Sequence, residues 1–114
     1  MQQPDLNRLR HMLDAAKEAI KFTVNKSRKD LDRDRILTLA IIKSIEIIGE
    51  AASKVSESCR SDYPVIPWID IINMRQRMIH AYFDVNLDIV WETTQTDLPS
   101  LVEALEGIIP PERK

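Results

Sequence analysis

The stretch "ILTLAIIKSIEIIGEAA", residues 36–52, decides the fold. Isoleucine crowds it, and β-branched residues favour strands. Yet Lys43, Glu46, Glu50 and, just beyond the stretch, Lys54 fall three and four residues apart, which is the period of a helix. At about 100° per residue these four and Ser53 share one stripe roughly 100° wide. The rest of the circumference carries Ile36, Leu37, Ala40, Ile41, Ile42, Ile45, Ile47, Ile48, Ala51, Ala52 and Val55. The segment reads as a helix with too broad an apolar face for the surface of a small bundle. That excess predicts burial on two sides, one inside the bundle and one against a second copy in a symmetric homodimer. The alternative is a central helix covered by the other three.

Three further helical blocks flank it. The first runs from about Asp5 to about Asn25, with Leu6, Leu9, Met12, Leu13, Ala16, Ala19, Ile20 and Val24 at helical spacing. The central block itself starts near Asp32 or Asp34, acidic residues suited to a helix N-terminus, and reaches about Ser58. "CRSDYPVIP" reads as a connection. The third block starts near Pro67 and ends around Tyr82 or Phe83. The fourth follows "FDVN" and reaches about Gly107, with Pro99 kinking it or splitting it after a segment around Leu87 to Thr94. The expectation is a single all-α domain spanning residues 1–114, a bundle of four to five helices.

Composition narrows the function. A net charge of −2 argues against a protein that coats nucleic acid through its whole surface, so any RNA or DNA contact must come from a local cluster. The lone Cys59 allows no internal disulfide and no thiolate metal site. The N-terminal "MQQPDLNRLRHML" is charged where a signal peptide would be apolar, and Lys43, Glu46 and Glu50 interrupt the most apolar segment. A cytoplasmic protein without a membrane span is expected.

The third block poses the chemical question. With Trp68 at zero on the helical wheel, Ile71, Ile72, Met78, Ile79, Tyr82 and Phe83 fall within about 80° of it as a core face. Arg75 lies about 20° from the centre of that face, where a leucine would be ordinary. Asn73, Gln76, Arg77 and His80 occupy a polar side. A buried guanidinium costs several kcal/mol unless paired. One reading is an arginine–glutamate pair that registers two helices, with Glu46 or Glu50 as partner. The other is an arginine opening into a cleft and awaiting a phosphate, and the two can coexist. Gln76 stands four residues before His80 and could fix its tautomer. Tyr82 shares the face of Arg75. There is no carboxylate–histidine cluster at metal spacing, no phosphate-cradling glycine loop and no serine nucleophile with a base. Arginine with histidine and no metal suits cleavage of RNA by its own 2′-hydroxyl.

"RQRMIHAY" fits the pattern Arg-x4-His-x-Tyr and, with the series GEAA, IPW, MR, HAYFDV, VW and DLP, resembles the HepT-like toxins of the HEPN superfamily (higher eukaryotes and prokaryotes nucleotide-binding). The likeness covers nearly the whole chain. It implies a HEPN bundle that dimerises and brings two motifs into one cleft, acting as a metal-independent endoribonuclease and as the toxin of a type VII toxin–antitoxin pair. Arg75 and His80 would be catalytic, the first as phosphate clamp and the second as proton-transfer group, with Gln76, Arg77 and Glu50 in support. The family's antitoxin is a small nucleotidyltransferase, MntA, which transfers AMP onto the motif tyrosine, here Tyr82. ATP and magnesium would serve that partner, and this chain would carry no cofactor. The other reading is a non-catalytic HEPN dimer that binds a nucleotide or a nucleotidyltransferase. Gln76 departs from the small polar residue, often asparagine, usual after the motif arginine. It keeps the amide with one more methylene, so an altered site is expected.

Overall fold

The computed structural model describes residues 1–80 and 86–111, and the side chains of all of these except 77–80. Helix α1, Gln3–Phe22, takes Pro4 into its first turn, where no intrahelical donor is lost. It ends where Thr23 turns its hydroxyl back onto the Ile20 carbonyl and Asn25 adopts a left-handed φ of 63°. Asparagine tolerates that conformation, which explains why the helix stops short of the expected end at Asn25. A single turn, α2 at Asp30–Arg33, leads to the long central helix α3, Arg35–Ser53. Asp34 caps α3 by accepting from the Leu37 amide at 3.0 Å.

The stretch read as a loop holds a short helix, α4 at Glu57–Asp62, started by the Ser56 side chain. Six residues are too few for periodicity to declare them, so only the cap could have announced this helix. Helix α5, Trp68–His80, follows and packs on α3. The Trp68 indole pins the preceding loop by donating to the carbonyls of Arg60 and Tyr63, each at 3.1 Å.

The last column is interrupted just ahead of Pro99, its first segment ending at Glu92, close to the expected break near Thr94. Helix α6, Leu87–Glu92, continues through a π turn at Thr93–Asp97 into α7, Leu98–Ile108. The Leu98 amide donates five residues back to the Thr93 carbonyl. A widened turn just before a proline eases the clash its ring makes with the carbonyl four residues earlier.

The breadth of apolar surface on α3 is spent largely inside the chain. Its C-terminal half, through Ile48, Ala52 and the following Val55, joins Leu9, Met12, Leu101 and Leu105 of α1 and α7. Its N-terminal half, through Leu37, Ile41, Ile42 and Ile45, joins Leu31 and Val90. Two small cores thus flank one helix, and most of its apolar arc is covered by its own chain. What stays outside is a narrower surplus: Ile36 is 82 % exposed, and Leu39 and Ile47 about 40 %. All three lie along the stripe of Lys43 and Glu50 or at its edge, which corrects the placing of Ile36 and Ile47 in the apolar arc, so the outer face of α3 is mixed rather than polar. Among the described residues no helix is long and apolar enough to cross a membrane.

A buried carboxylate ties the chain's start to α4. Asp5 accepts from the Ser56 hydroxyl at 2.6 Å and from the Ser56 amide at 2.8 Å. The hydroxyl bond, then the amide bond, hold its pKa below the ordinary value against the opposing effect of burial. A depressed carboxylate stabilises the fold above its unfolded pKa of about 3.9, and the gain is lost as pH falls through the folded value. Asp5→Asn is therefore expected to cost about 1–2 kcal/mol at pH 7 and much less at pH 3. Urea midpoints of both proteins at the two pH values check this, and equal gaps would refute it.

Candidate active site

Helices α3 and α5 meet where α3 has no side chain. A Cβ built on Gly49 would lie 2.2 Å from the Arg75 Cβ, with Cγ and Cδ only 3.0 and 3.1 Å away. The stem of Arg75 therefore lies across Gly49, and this close approach is what admits an arginine into the core-facing position of α5. Its head does not stay inside. The Arg75 Nη2 reaches the Glu50 Oε2 at 2.7 Å, and the Arg75 side chain remains 28 % exposed. Of the two carboxylates named from the sequence, Glu50 takes the guanidinium, while Glu46 stands 3.8 Å from the Lys43 ammonium.

Glu50 holds a second cation. Lys54 Nζ sits 3.0 Å from its Oε1. The Lys54 hydrogen bond, then the charges of Arg75, Lys54 and Arg8, keep the Glu50 carboxyl below its usual pKa. Glu50 is thus ionised at neutral pH and fixes one edge of the Arg75 fork, leaving the other donors for an anion.

Those donors border an open cleft of about 380 Å³. Arg8 and His11 reach it from α1, Lys43, Glu46 and Glu50 from α3, and Arg75 from α5. Neither Arg8, His11 nor Lys43 was signalled by the sequence as part of a site. Arg8 and His11 stand one turn apart on α1, but spacing cannot say which helix that face will meet. Gly49 did leave a signal, since it is one of two glycines in the chain and sits in the middle of a long helix. The other flank of α5 borders an apolar cavity of about 340 Å³ among Ile45, Ile48, Met74 and Leu101. Asp70 and Asp97 are its charged lining groups, so its charge opposes a phosphate.

Helix α5 is continuous through His80, and Gln76 is exposed on it. The side chains of Arg77 and His80, and the whole of Tyr82, lie outside the described residues. Among the described residues no group of three histidines, cysteines or carboxylates stands together as a metal cradle.

The family model described as "Ribonuclease HepT-like" matches residues 12–108. A protein of Caldanaerobacter subterraneus subsp. tengcongensis named "Putative RNase" is 35 % identical over 105 residues, covering 92 % of this chain and 94 % of that one. One of Methanocaldococcus jannaschii, also named "Putative RNase", is 33 % identical over 98 residues, covering 86 % and 81 %. The "Probable ribonuclease HepT" of Thermococcus cleftensis is 35 % identical over 88 residues, covering 77 % and 80 %. No solved structure matches the chain. The all-α bundle and the near full-length match agree: this chain belongs to the HepT-like ribonuclease family of the HEPN superfamily.

Proposed function

We propose that the protein is a metal-independent endoribonuclease, with Arg75 and His80 as its catalytic residues. The observation that carries this reading is the Arg75 guanidinium, held at one edge by Glu50 and open to a cleft at the other. In the reaction the 2′-hydroxyl attacks the adjacent phosphorus, the bond to the 5′-oxygen breaks, and a 2′,3′-cyclic phosphate forms. His80 moves the proton, and Arg75 stabilises the charge that grows on the non-bridging oxygens. Gln76 and Arg77 support the motif, and Glu50 positions Arg75 without touching substrate.

The protein acts as the toxin of a type VII pair. Its MntA-like nucleotidyltransferase antitoxin would attach AMP to Tyr82: the phenol oxygen attacks the α-phosphorus of ATP and pyrophosphate leaves. Added negative charge and bulk near the motif would oppose RNA phosphates. The names of the relatives support the ribonuclease part of this reading. An arginine fully sealed between helices would have favoured a purely structural role, whereas Arg75 lines open space.

The working form is a homodimer, supported by the exposed Ile36 and Leu39 at the N-terminal end of α3, outside the cleft. The double substitution Ile36→Asp with Leu39→Asp is expected to yield a folded monomer by sedimentation; an unchanged dimer would place the interface elsewhere. For the activity itself, wild-type protein, His80→Ala and Arg75→Ala are incubated with RNA in EDTA after each is shown folded. Cleavage by wild type alone supports the reading. Equal products from all three, or none from wild type carrying unmodified Tyr82 by intact mass, reject it in favour of a binding-only HEPN dimer.

A further inference from the structure

The chain's overall charge is negative, so an RNA strand cannot be drawn to it by the surface as a whole. Arg75, with one edge of its fork occupied by Glu50, is suited to one phosphate. A strand lying in the cleft presents further phosphates on either side of the one being cut. The cleft wall opposite α5 is α1, and α1 contributes Arg8 and His11 to it. From α3 comes Lys43, whose side chain is 70 % exposed.

The carboxylates of the cleft are already engaged. Glu50 is paired with Arg75 and Lys54, and Glu46 lies beside Lys43. Arg8, Lys43 and Arg75 thus stand against Glu46 and Glu50, a local surplus of cations in an acidic protein. The charge of Arg8 also helps depress the Glu50 pKa, so its field extends to the Arg75–Glu50 pair.

We propose that Arg8 and Lys43, with His11 of the same cleft as a further donor, form a phosphate-binding subsite that holds single-stranded RNA beside the Arg75 position. This rests on the ribonuclease reading above and extends it to residues outside the Arg-x4-His-x-Tyr motif. The subsite contacts backbone phosphate rather than bases, so it contributes affinity and alignment without sequence preference. It also joins α1 to the function of α5 through space, although Arg8 and Arg75 lie more than sixty residues apart in the chain.

The test is binding of a fluorescently labelled single-stranded RNA of about twelve nucleotides to the full chain, by anisotropy at several salt concentrations, with cleavage of the same RNA measured alongside. Arg8→Ala, Lys43→Ala and their combination are compared with Lys29→Ala, which removes the same charge from the connection between α1 and α2. Arg8→Gln keeps the packed stem should Arg8→Ala fold poorly. Each lost phosphate contact is expected to reduce the slope of log K against log salt by about 0.7, so the double variant should lose about 1.4 and bind at least about tenfold more weakly at low salt. Lys29→Ala should leave the slope unchanged. An unchanged slope in the folded double variant, while wild type binds and cleaves, overturns the subsite and leaves the ribonuclease reading standing. Wild type that shows no salt-dependent binding overturns the subsite as well, and the cleavage assay then judges the ribonuclease reading on its own.

Discussion

Arg75→Ala is expected to slow RNA cleavage by at least about a hundredfold, the usual loss when one donor to a developing oxyanion is removed. The fold should scarcely notice. Glu50 keeps Lys54 as a partner and is 43 % exposed, so the deletion strands no buried charge. The thermal midpoint should accordingly move by no more than about 3 °C. Arg75→Lys separates charge from geometry. A lysine keeps the positive charge but cannot hold Glu50 and a phosphate with two edges of one planar group. It is expected to recover less than about a tenth of the lost rate. Initial rates on one RNA, with melting curves for each variant, decide the matter. A collapse of the melting temperature in Arg75→Ala would show instead that the Arg75–Glu50 pair is chiefly structural.

The second large effect is expected from the smallest substitution, Gly49→Ala. In an exposed helix this change stabilises by up to about 1 kcal/mol. Here the new methyl would sit 2.2 Å from the Arg75 Cβ, an atom fixed to the α5 backbone rather than the far end of a flexible chain. The two helices must move apart, and overpacking of that kind costs typically about 1–3 kcal/mol. The clash outweighs the propensity gain, so a net loss near 1 kcal/mol and a midpoint lowered by about 5 °C are expected. Cleavage should fall more than stability does, because any shift of α5 carries Arg75 away from Glu50 and the cleft. Gly107→Ala is the control. Nothing lies within 4 Å of a Cβ there, so that variant should be neutral or slightly more stable. Equal behaviour of the two glycine variants would refute the close-approach account.

Much of this was legible beforehand because it depends on neighbours along the chain. The alternation of Lys43, Glu46, Glu50 and Lys54 marked α3 as a helix despite its isoleucines, and Asp32 and Asp34 bracketed its start, which the structure puts at Asp34. Wheel geometry put Arg75 on the core side of α5 and Asn73 and Gln76 outside, which is where they lie. What the wheel could not show was that Arg75 reaches inward only with its stem. That depends on the absence of a side chain at Gly49, which comes from another helix. The division of α3 between two cores was likewise hidden, since one broad apolar arc looks the same whether covered by its own chain or by a second copy. The α1 wall of the cleft was invisible for the same reason: Arg8 and His11 are ordinary surface residues until the packing of α1 on α3 gives them neighbours.

The π turn at Thr93–Asp97 gives the last column a tolerance that regular helices lack. Such a turn holds one residue more than an α-helical turn needs. Removing Thr96, which is exposed, would let the Leu98 amide bond four residues back instead of five, and the turn would close to ordinary pitch. Leu98, Leu101 and Leu105 would keep their places in the core, because the spare residue never contributed to their phase. A deletion of the same size within α3 or α5 would turn every following side chain by about 100°. A one-residue shortening of the chain is thus expected to be absorbed within this turn, and none of its residues lines the Arg75 cleft.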